Sequence, residues 1–110
     1  MSFKAVILLR RRADVTPAEF RQWWLHEHAS LAAQLPGARR VVFNAADDTA
    51  PGADPTSPDW VDGVSELWFD SQEAFTVAYA TELGKQVAAD SMAHVSGRTR
   101  LFVTEYPVVG

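Results

Sequence analysis

The sequence contains no cysteine among its 110 residues. Disulfide bonds, thiolate nucleophiles and cysteine-ligated zinc or iron–sulfur centres are therefore excluded. Long apolar runs are missing too, because the N-terminal stretch from Ala5 to Leu9 is too short for a signal-peptide core or a membrane span. Together these absences predict a cytoplasmic protein with no membrane partner.

Positive charge is also scarce. Ten Lys and Arg residues stand against 14 Asp and Glu residues, which gives a formal net charge of −4. The one basic cluster, Arg10-Arg11-Arg12, is short and is closely followed by Asp14, so we expect a solvated strand end. This balance predicts no nucleic-acid partner.

Several motifs that carry chemistry are absent as well. The chain has no glycine-rich phosphate loop, no nucleophile elbow and no dinucleotide fingerprint. His26 and His28 flank Glu27, but side chains two residues apart on a helix point away from each other, whereas a helical metal pair needs a spacing of four. We therefore expect no metal site and no cofactor.

What the sequence does contain is ample material for a core. Hydrophobic residues make up 47% and aromatic residues 11% of the chain, which predicts a single globular domain over 1–110. A capping box at Thr16 and Glu19, with Pro17 between them, predicts a helix start. The segment 46–60 is rich in Pro and Asp without periodicity, and we expect it to be a mobile loop.

The predicted elements follow the order β-α-β-β-α-β. Strands are expected at 3–10, 38–45, 63–69 and 99–106, and helices at about 17–34 and after an N-cap at Asp70, the second interrupted near Gly84. This order predicts an α+β, ferredoxin-like fold: a four-stranded antiparallel sheet with two helices on one face. Residues expected on the other face are also apolar (Val6, Leu8, Val42, Leu101, Val103). A second copy of the sheet is the simplest cover for such a face, so we expect a homodimer.

The segment FRQWWLHEHASL carries the strongest functional signal. On an ideal helix of about 100° per residue, Trp24 faces the core, Glu27 points inward and His26 faces solvent. His28 falls on the edge of the aromatic stripe. It is either a packed histidine bonded to a backbone carbonyl or an acid/base residue that faces a cavity.

Glu66 is the second catalytic candidate. It lies mid-strand between Val64 and Trp68, where partial desolvation would raise its pKa into a useful range. The alternative is a buried ion pair with Arg39, Arg40 or Arg100.

Five further residues are candidate ligand contacts: Trp24 and Trp68 as apolar walls, Asn44 as an orienting amide, and Tyr79 and His94 near the second helix. Asn44 also fits a turn residue, and Tyr79 and His94 also fit ordinary packing or surface positions. His28 and His94 together can supply two imidazoles to a haem, although nothing in their spacing requires it.

Three stretches in this order resemble the EthD family. They are the pattern F-x-x-W-W-x-x-x-H-x-x-L from Phe20 to Leu31, LPGARRVVFN after it, and DGVSELWFD from Asp62 to Asp70. The resemblance spans essentially the whole chain and implies a ferredoxin-like fold that dimerises into an α/β barrel. It implies that the family histidine corresponds to His28.

Relatives of this appearance include isomerases, decarboxylases and cofactor-free monooxygenases. The resemblance therefore implies a small cofactor-independent enzyme acting on an apolar carbonyl compound, such as a lactone or an aromatic polyketide-like acid, by histidine acid/base chemistry. Two alternatives remain open: a non-catalytic small-molecule-binding or accessory protein of a degradation pathway, and a haem-binding or haem-degrading protein.

Overall fold

The computed structural model describes residues 2–110. Four strands form one antiparallel sheet in the order β2-β3-β1-β4. Their bounds are Phe3–Arg11 (β1), Arg40–Ala45 (β2), Gly63–Phe69 (β3) and Val95–Val103 (β4). The predicted ferredoxin-like α+β fold is confirmed.

The first helical stretch is continuous but not uniform. It comprises α1 (Pro17–Gln22), a π-helical segment (Trp23–His28) and α2 (Ala29–Ala32). The predicted capping box is present: the Thr16 hydroxyl accepts from the Glu19 amide, and the Glu19 carboxylate accepts from the Thr16 amide. Two more helices, α3 (Gln72–Ala80) and α4 (Glu82–His94), follow β3.

Three predicted boundaries are wrong. Ser71, not Asp70, caps α3 by accepting from the Ala74 amide, while Asp70 pairs with Arg39. The break between the two later helices falls at Thr81 rather than at Gly84, because the Thr81 hydroxyl caps α4 through the Gly84 amide. Strand β4 begins at residue 95 rather than 99 and ends at residue 103.

The sheet separates two faces. Toward the helices it presents a buried core of β1 and β3 side chains: Ala5, Ile7, Leu9, Leu67 and Phe69. The opposite face, which we call the open face, carries the alternate residues of all four strands, paired in register as Val6–Glu66, Val6–Leu101 and Val42–Glu66.

The open face is apolar in part. Val6, Leu8 and Val42 are half-buried in the single chain, and Leu101 is 48% exposed. Charged and aromatic groups lie beside them, since Lys4 lies over the Trp68 ring at 4.5 Å.

The segment 46–60 is anchored at its end by an ion pair. Asp62 is buried and accepts from the backbone amide and from Nη1 of Arg11, both at 2.8 Å. Arg11 also donates to the Pro55 carbonyl, and the Trp60 indole donates to Asp62. Arg11 is therefore not the solvated strand end that its place in the basic cluster suggested. The mobility of the segment stays a prediction.

Candidate functional site

The π-helical segment determines how the histidines are presented. A π-helix advances each residue by less than an α-helix does, since its hydrogen bonds join residues five apart. Trp23 and His28 are five apart, and their rings lie 5.1 Å from each other. His28 is buried with only 5% exposure, whereas His26 is exposed.

The π-helical segment also changes the orientation of Glu27 from the one expected on an ideal α-helix. Glu27 is exposed rather than inward-facing, because the wider turn moves the inward position from residue 27 to residue 28. A uniform angle of about 100° per residue cannot reproduce this shift.

Both ring nitrogens of His28 have partners on α4. Its Nδ1 lies 2.8 Å from Oδ2 of Asp90, and its Nε2 lies 3.2 Å from Oγ of Ser91. A carboxylate can only accept, so Nδ1 carries the proton in neutral His28 and Nε2 accepts from the Ser91 hydroxyl. The partner is thus a side-chain carboxylate and not the backbone carbonyl of the packed-histidine interpretation.

Asp90 forms hydrogen bonds with three residues: His28, Trp23 and His94. The same Oδ2 that binds His28 also accepts from the Trp23 indole N–H at 3.2 Å. His94 donates from Nδ1 to the backbone carbonyl of Asp90 at 2.8 Å and lies 3.3 Å from its Oδ1. Asp90 therefore fixes both the tautomer and the ring orientation of His28.

Burial dominates the electrostatics of His28. Desolvation lowers the pKa of this imidazole below its ordinary value, and the nearby Asp90 carboxylate opposes that change without reversing it. His28 is consequently neutral at physiological pH, with Nε2 able to accept a proton.

A small, partly open cavity of about 20 Å³ lies between the helices and the sheet beside His28. Its polar lining comprises His28, Ser65, Tyr79, Ser91 and Arg98. The remaining lining is apolar: Ile7, Leu9, Ala32, Phe43, Leu67, Val87 and Ala88. Burial raises the pKa of Tyr79, so its phenol is a neutral hydrogen-bond donor.

Three of the candidate residues lie on the open face instead. Glu66, Asn44 and Trp68 alternate with the core residues, so the sheet separates them from His28. Glu66 pairs with Lys4 at 3.2 Å rather than with an arginine. Asn44 donates to the Val64 carbonyl, and Trp68 donates to Glu105.

The other two candidates contact the His28 region from outside the cavity. Trp24 is fully buried and stacks on Phe43, a lining residue, with ring centroids 4.5 Å apart. His94 stacks on Trp23 at 4.4 Å and is partly exposed. Of the residues proposed from sequence, only His28 and Tyr79 line the cavity.

Sequence reasoning missed three polar lining residues, Ser65, Ser91 and Arg98, and it also missed the role of Asp90, which binds His28 from outside the lining. Ser91 gives no signal beyond its helical position, and Arg98 was missed because β4 was expected to begin at residue 99. With the observed start, strand alternation places Arg98 on the helix face, opposite Leu9. Nothing in the sequence around Asp90 indicates that it binds His28 directly.

Residues 2–110 contain no group of three or more His, Asp or Glu side chains arranged to hold a metal ion. No helix in this same range is long and apolar enough to cross a membrane.

The chain belongs to the EthD family, since the model of the EthD domain matches residues 12–97. No match was found among curated proteins. Among solved structures, an EthD family protein from Bacillus halodurans has a TM-score of 0.78 at 21% identity, with 96% of this chain and 100% of that chain covered.

Two other structures share the fold. A dimeric ferredoxin-like protein of unknown function from Thermobifida fusca has a TM-score of 0.73 at 17% identity, covering 96% of this chain and 92% of that one. SnoaB, a cofactor-independent oxygenase from Streptomyces nogalater, has a TM-score of 0.69 at 18% identity, covering 98% and 96%. At these identities the likeness shows the fold alone.

Proposed function

We propose that this protein is a small cofactor-independent enzyme that acts on an apolar carbonyl compound, with His28 as the acid/base residue. One observation carries the proposal: a buried neutral imidazole is oriented by Asp90 and presents Nε2 at a cavity between sheet and helices. A likeness in fold to a cofactor-independent oxygenase is compatible with this class of chemistry.

The proposed first step is proton transfer from the substrate to His28. Nε2 takes the proton from a carbon next to the carbonyl, which leaves an enolate on the substrate and an imidazolium on His28. Asp90 stabilises the imidazolium through its contact of 2.8 Å with Nδ1. Ser91 donates to Nε2 in the resting enzyme and must rotate away when substrate takes its place.

Substrate binding requires the cavity to widen. A volume of about 20 Å³ holds little more than one water molecule. The break at Thr81 between α3 and α4 lies next to the lining residue Tyr79, so we propose that movement at this break admits the substrate. The apolar lining then excludes water, which strengthens the polar contacts made inside.

Glu66 and Asn44 have no place in this cavity because the sheet lies between them and His28. We propose that they, together with Trp68, contribute to the contact surface inside a barrel formed by the open faces of two copies. The half-buried residues Val6 and Leu8 and the exposed Leu101 would supply the apolar contact.

The dimer is tested by Leu101→Asp. A charge buried at the centre of a sheet-to-sheet contact is costly, so light scattering of the eluted protein should show a monomer. The matched control is Val77→Asp on α3, which is 59% exposed and lies away from the open face. A wild-type monomer, or an unchanged dimer in Leu101→Asp, would contradict the sheet-to-sheet arrangement.

The activity is tested by incubating the protein with a panel of lactones and aromatic acids and following products by mass spectrometry. His28→Gln should lower turnover by about 10²- to 10⁴-fold, the usual contribution of a general acid/base residue. His26→Gln is the matched control, since His26 is exposed on the same helix. Equal turnover by His28→Gln and wild type would show that His28 is not the acid/base residue.

A non-catalytic binding protein is the second candidate, favoured by the largely apolar lining of the small cavity. Ligands that raise the melting temperature but are recovered unchanged would support it. Haem binding is the third candidate. Ligation through His28 would break its bond to Asp90 or Ser91, so we expect His28→Gln to bind haemin no more weakly than the wild-type protein.

A further inference from the structure

Arg98 occupies an unusual position for a cation. Its side chain extends from β4 on the helix face and lines the cavity with His28 and Tyr79. Its Nε atom is buried and has no hydrogen-bond partner within residues 2–110. The guanidinium takes part in no ion pair in that range, although the other arginines include four with carboxylate partners: Arg11, Arg12, Arg21 and Arg39.

An unsatisfied N–H of a charged group inside a protein is costly and calls for a partner. The cavity lining offers none, because it contains neither Asp nor Glu. His28 and Tyr79 are its other titratable residues, and neither carries negative charge at neutral pH. The lining is therefore positive overall and has a free donor.

We propose that Arg98 binds the carboxylate of the ligand, so that the cavity beside His28 selects organic acids over neutral compounds of the same shape. This inference rests on the proposed function for the location of the ligand. A guanidinium presents its N–H groups in a planar fork that matches a carboxylate. Phe43, Leu67 and Val87 would contact the apolar body of the acid.

The position of Arg98 also fits the chemistry at His28. The two residues line one cavity, so a carboxylate held by Arg98 is bound within reach of the imidazole. Arg98 is a binding residue in this scheme, and proton transfer remains the task of His28. The specificity follows from charge, since a neutral isostere leaves the buried donor unpaired.

Calorimetric titration with two matched pairs tests the proposal: benzoate against benzamide, and acetate against acetamide. The smaller pair is included because the cavity is small. We expect at least one acid to bind tenfold or more tightly than its amide in the wild-type protein. Arg98→Gln should abolish that preference, and Arg98→Lys should retain part of it.

Arg100→Gln is the matched control. Arg100 lies on the same strand and face but over the rings of Phe75 and Phe102, and it does not line the cavity. This variant should keep the wild-type preference. Arg98→Gln should melt at or above the wild-type temperature, because it removes an unpaired charge rather than a bond.

Three results would overturn the proposal: equal binding of acid and amide, an unchanged preference in Arg98→Gln, or no binding of either acid at millimolar concentration. Its failure is distinguishable from that of the proposed function. Turnover of neutral carbonyl compounds without any preference for acids would contradict only the proposed binding of a carboxylate by Arg98. A preference for acids that Arg98→Gln abolishes, with no turnover of any compound, would contradict only the proposed enzymatic activity.

Discussion

Replacing Asp90 by Asn tests the geometry around His28. The substitution keeps the shape of the side chain but removes its charge and replaces one acceptor oxygen by a donor group. Oδ2 of Asp90 accepts from both His28 and Trp23, so the Asn oxygen has to occupy that position to keep both bonds. The amide nitrogen would then face His94, whose Nδ1 is already a donor to the Asp90 carbonyl.

The expected loss of stability comes from the two hydrogen bonds that Asp90 accepts, from His28 and from Trp23. Hydrogen bonds to a charged group contribute about 1.5–3 kcal/mol and neutral ones about 0.5–1.5 kcal/mol, so each bond loses about 1 kcal/mol. The Asp90 side chain is 21% exposed, which is low enough for little screening by solvent. A total of about 2 kcal/mol corresponds to a fall in melting temperature of about 8 °C for a chain of this size.

Calorimetry of Asp90→Asn and of Asp14→Asn provides the assay and its control. Asp14 pairs with Arg12 at the surface, where both side chains are more than half exposed, so its loss should leave the melting temperature close to that of the wild-type protein. Nitrogen-15 spectra should show that Asp90→Asn weakens, without abolishing, the preference of His28 for the Nδ1-protonated tautomer, since a neutral amide oxygen accepts less strongly than a carboxylate. Equal melting temperatures for the two variants, with an unchanged tautomer, would refute the assignment of Asp90 as the orienting group.

Three further predictions concern stability. The pKa of His28 is lowered in the folded state, so its contribution to stability is present above pH about 6.5 and is lost as the pH falls toward its folded pKa. Between pH 7.5 and 5, the melting temperature of His28→Gln should therefore fall by less than that of the wild-type protein. A Cβ at Gly63 would lie 2.6 Å from the Trp24 ring, so Gly63→Ala should lower the free energy of unfolding in urea by about 1–3 kcal/mol. A Cβ at Gly97 would have its nearest contact at 3.6 Å, so Gly97→Ala should change that free energy little. Ser71→Ala should cost about 1 kcal/mol, since it removes the N-cap of α3, and an unchanged unfolding midpoint would contradict that role.

The sequence was sufficient for the parts of the fold that depend on regular patterns. Thr16 and Glu19 mark the start of α1 because a capping box depends only on local spacing. Strand alternation likewise separates Glu66 from Leu67 on the two faces of β3. The element order then predicts the sheet, and the three motifs between Phe20 and Asp70 carry the resemblance to the family.

The arrangement of residues around His28 could not be predicted from the sequence alone. A π-helical segment changes the phase of the helix within one turn, so Glu27 is exposed rather than inward-facing, and His28 is buried rather than at the edge of the aromatic stripe. Asp90 lies 62 residues from His28 along the chain, and no local pattern predicts their contact. Arg98 stands in a polar stretch without strand-like alternation of apolar residues, so its place on the helix face follows only from pairing with β1.

The most direct test of the proposed site compares two variants on one substrate. Once a substrate has been found, kcat/KM is measured for His28→Gln and Glu66→Gln in variants of equal stability. If the site is the cavity between sheet and helices, His28→Gln should lose at least about 100-fold and Glu66→Gln should change only a few-fold. Loss of activity in Glu66→Gln with full activity in His28→Gln would place the chemistry on the open face and contradict the account.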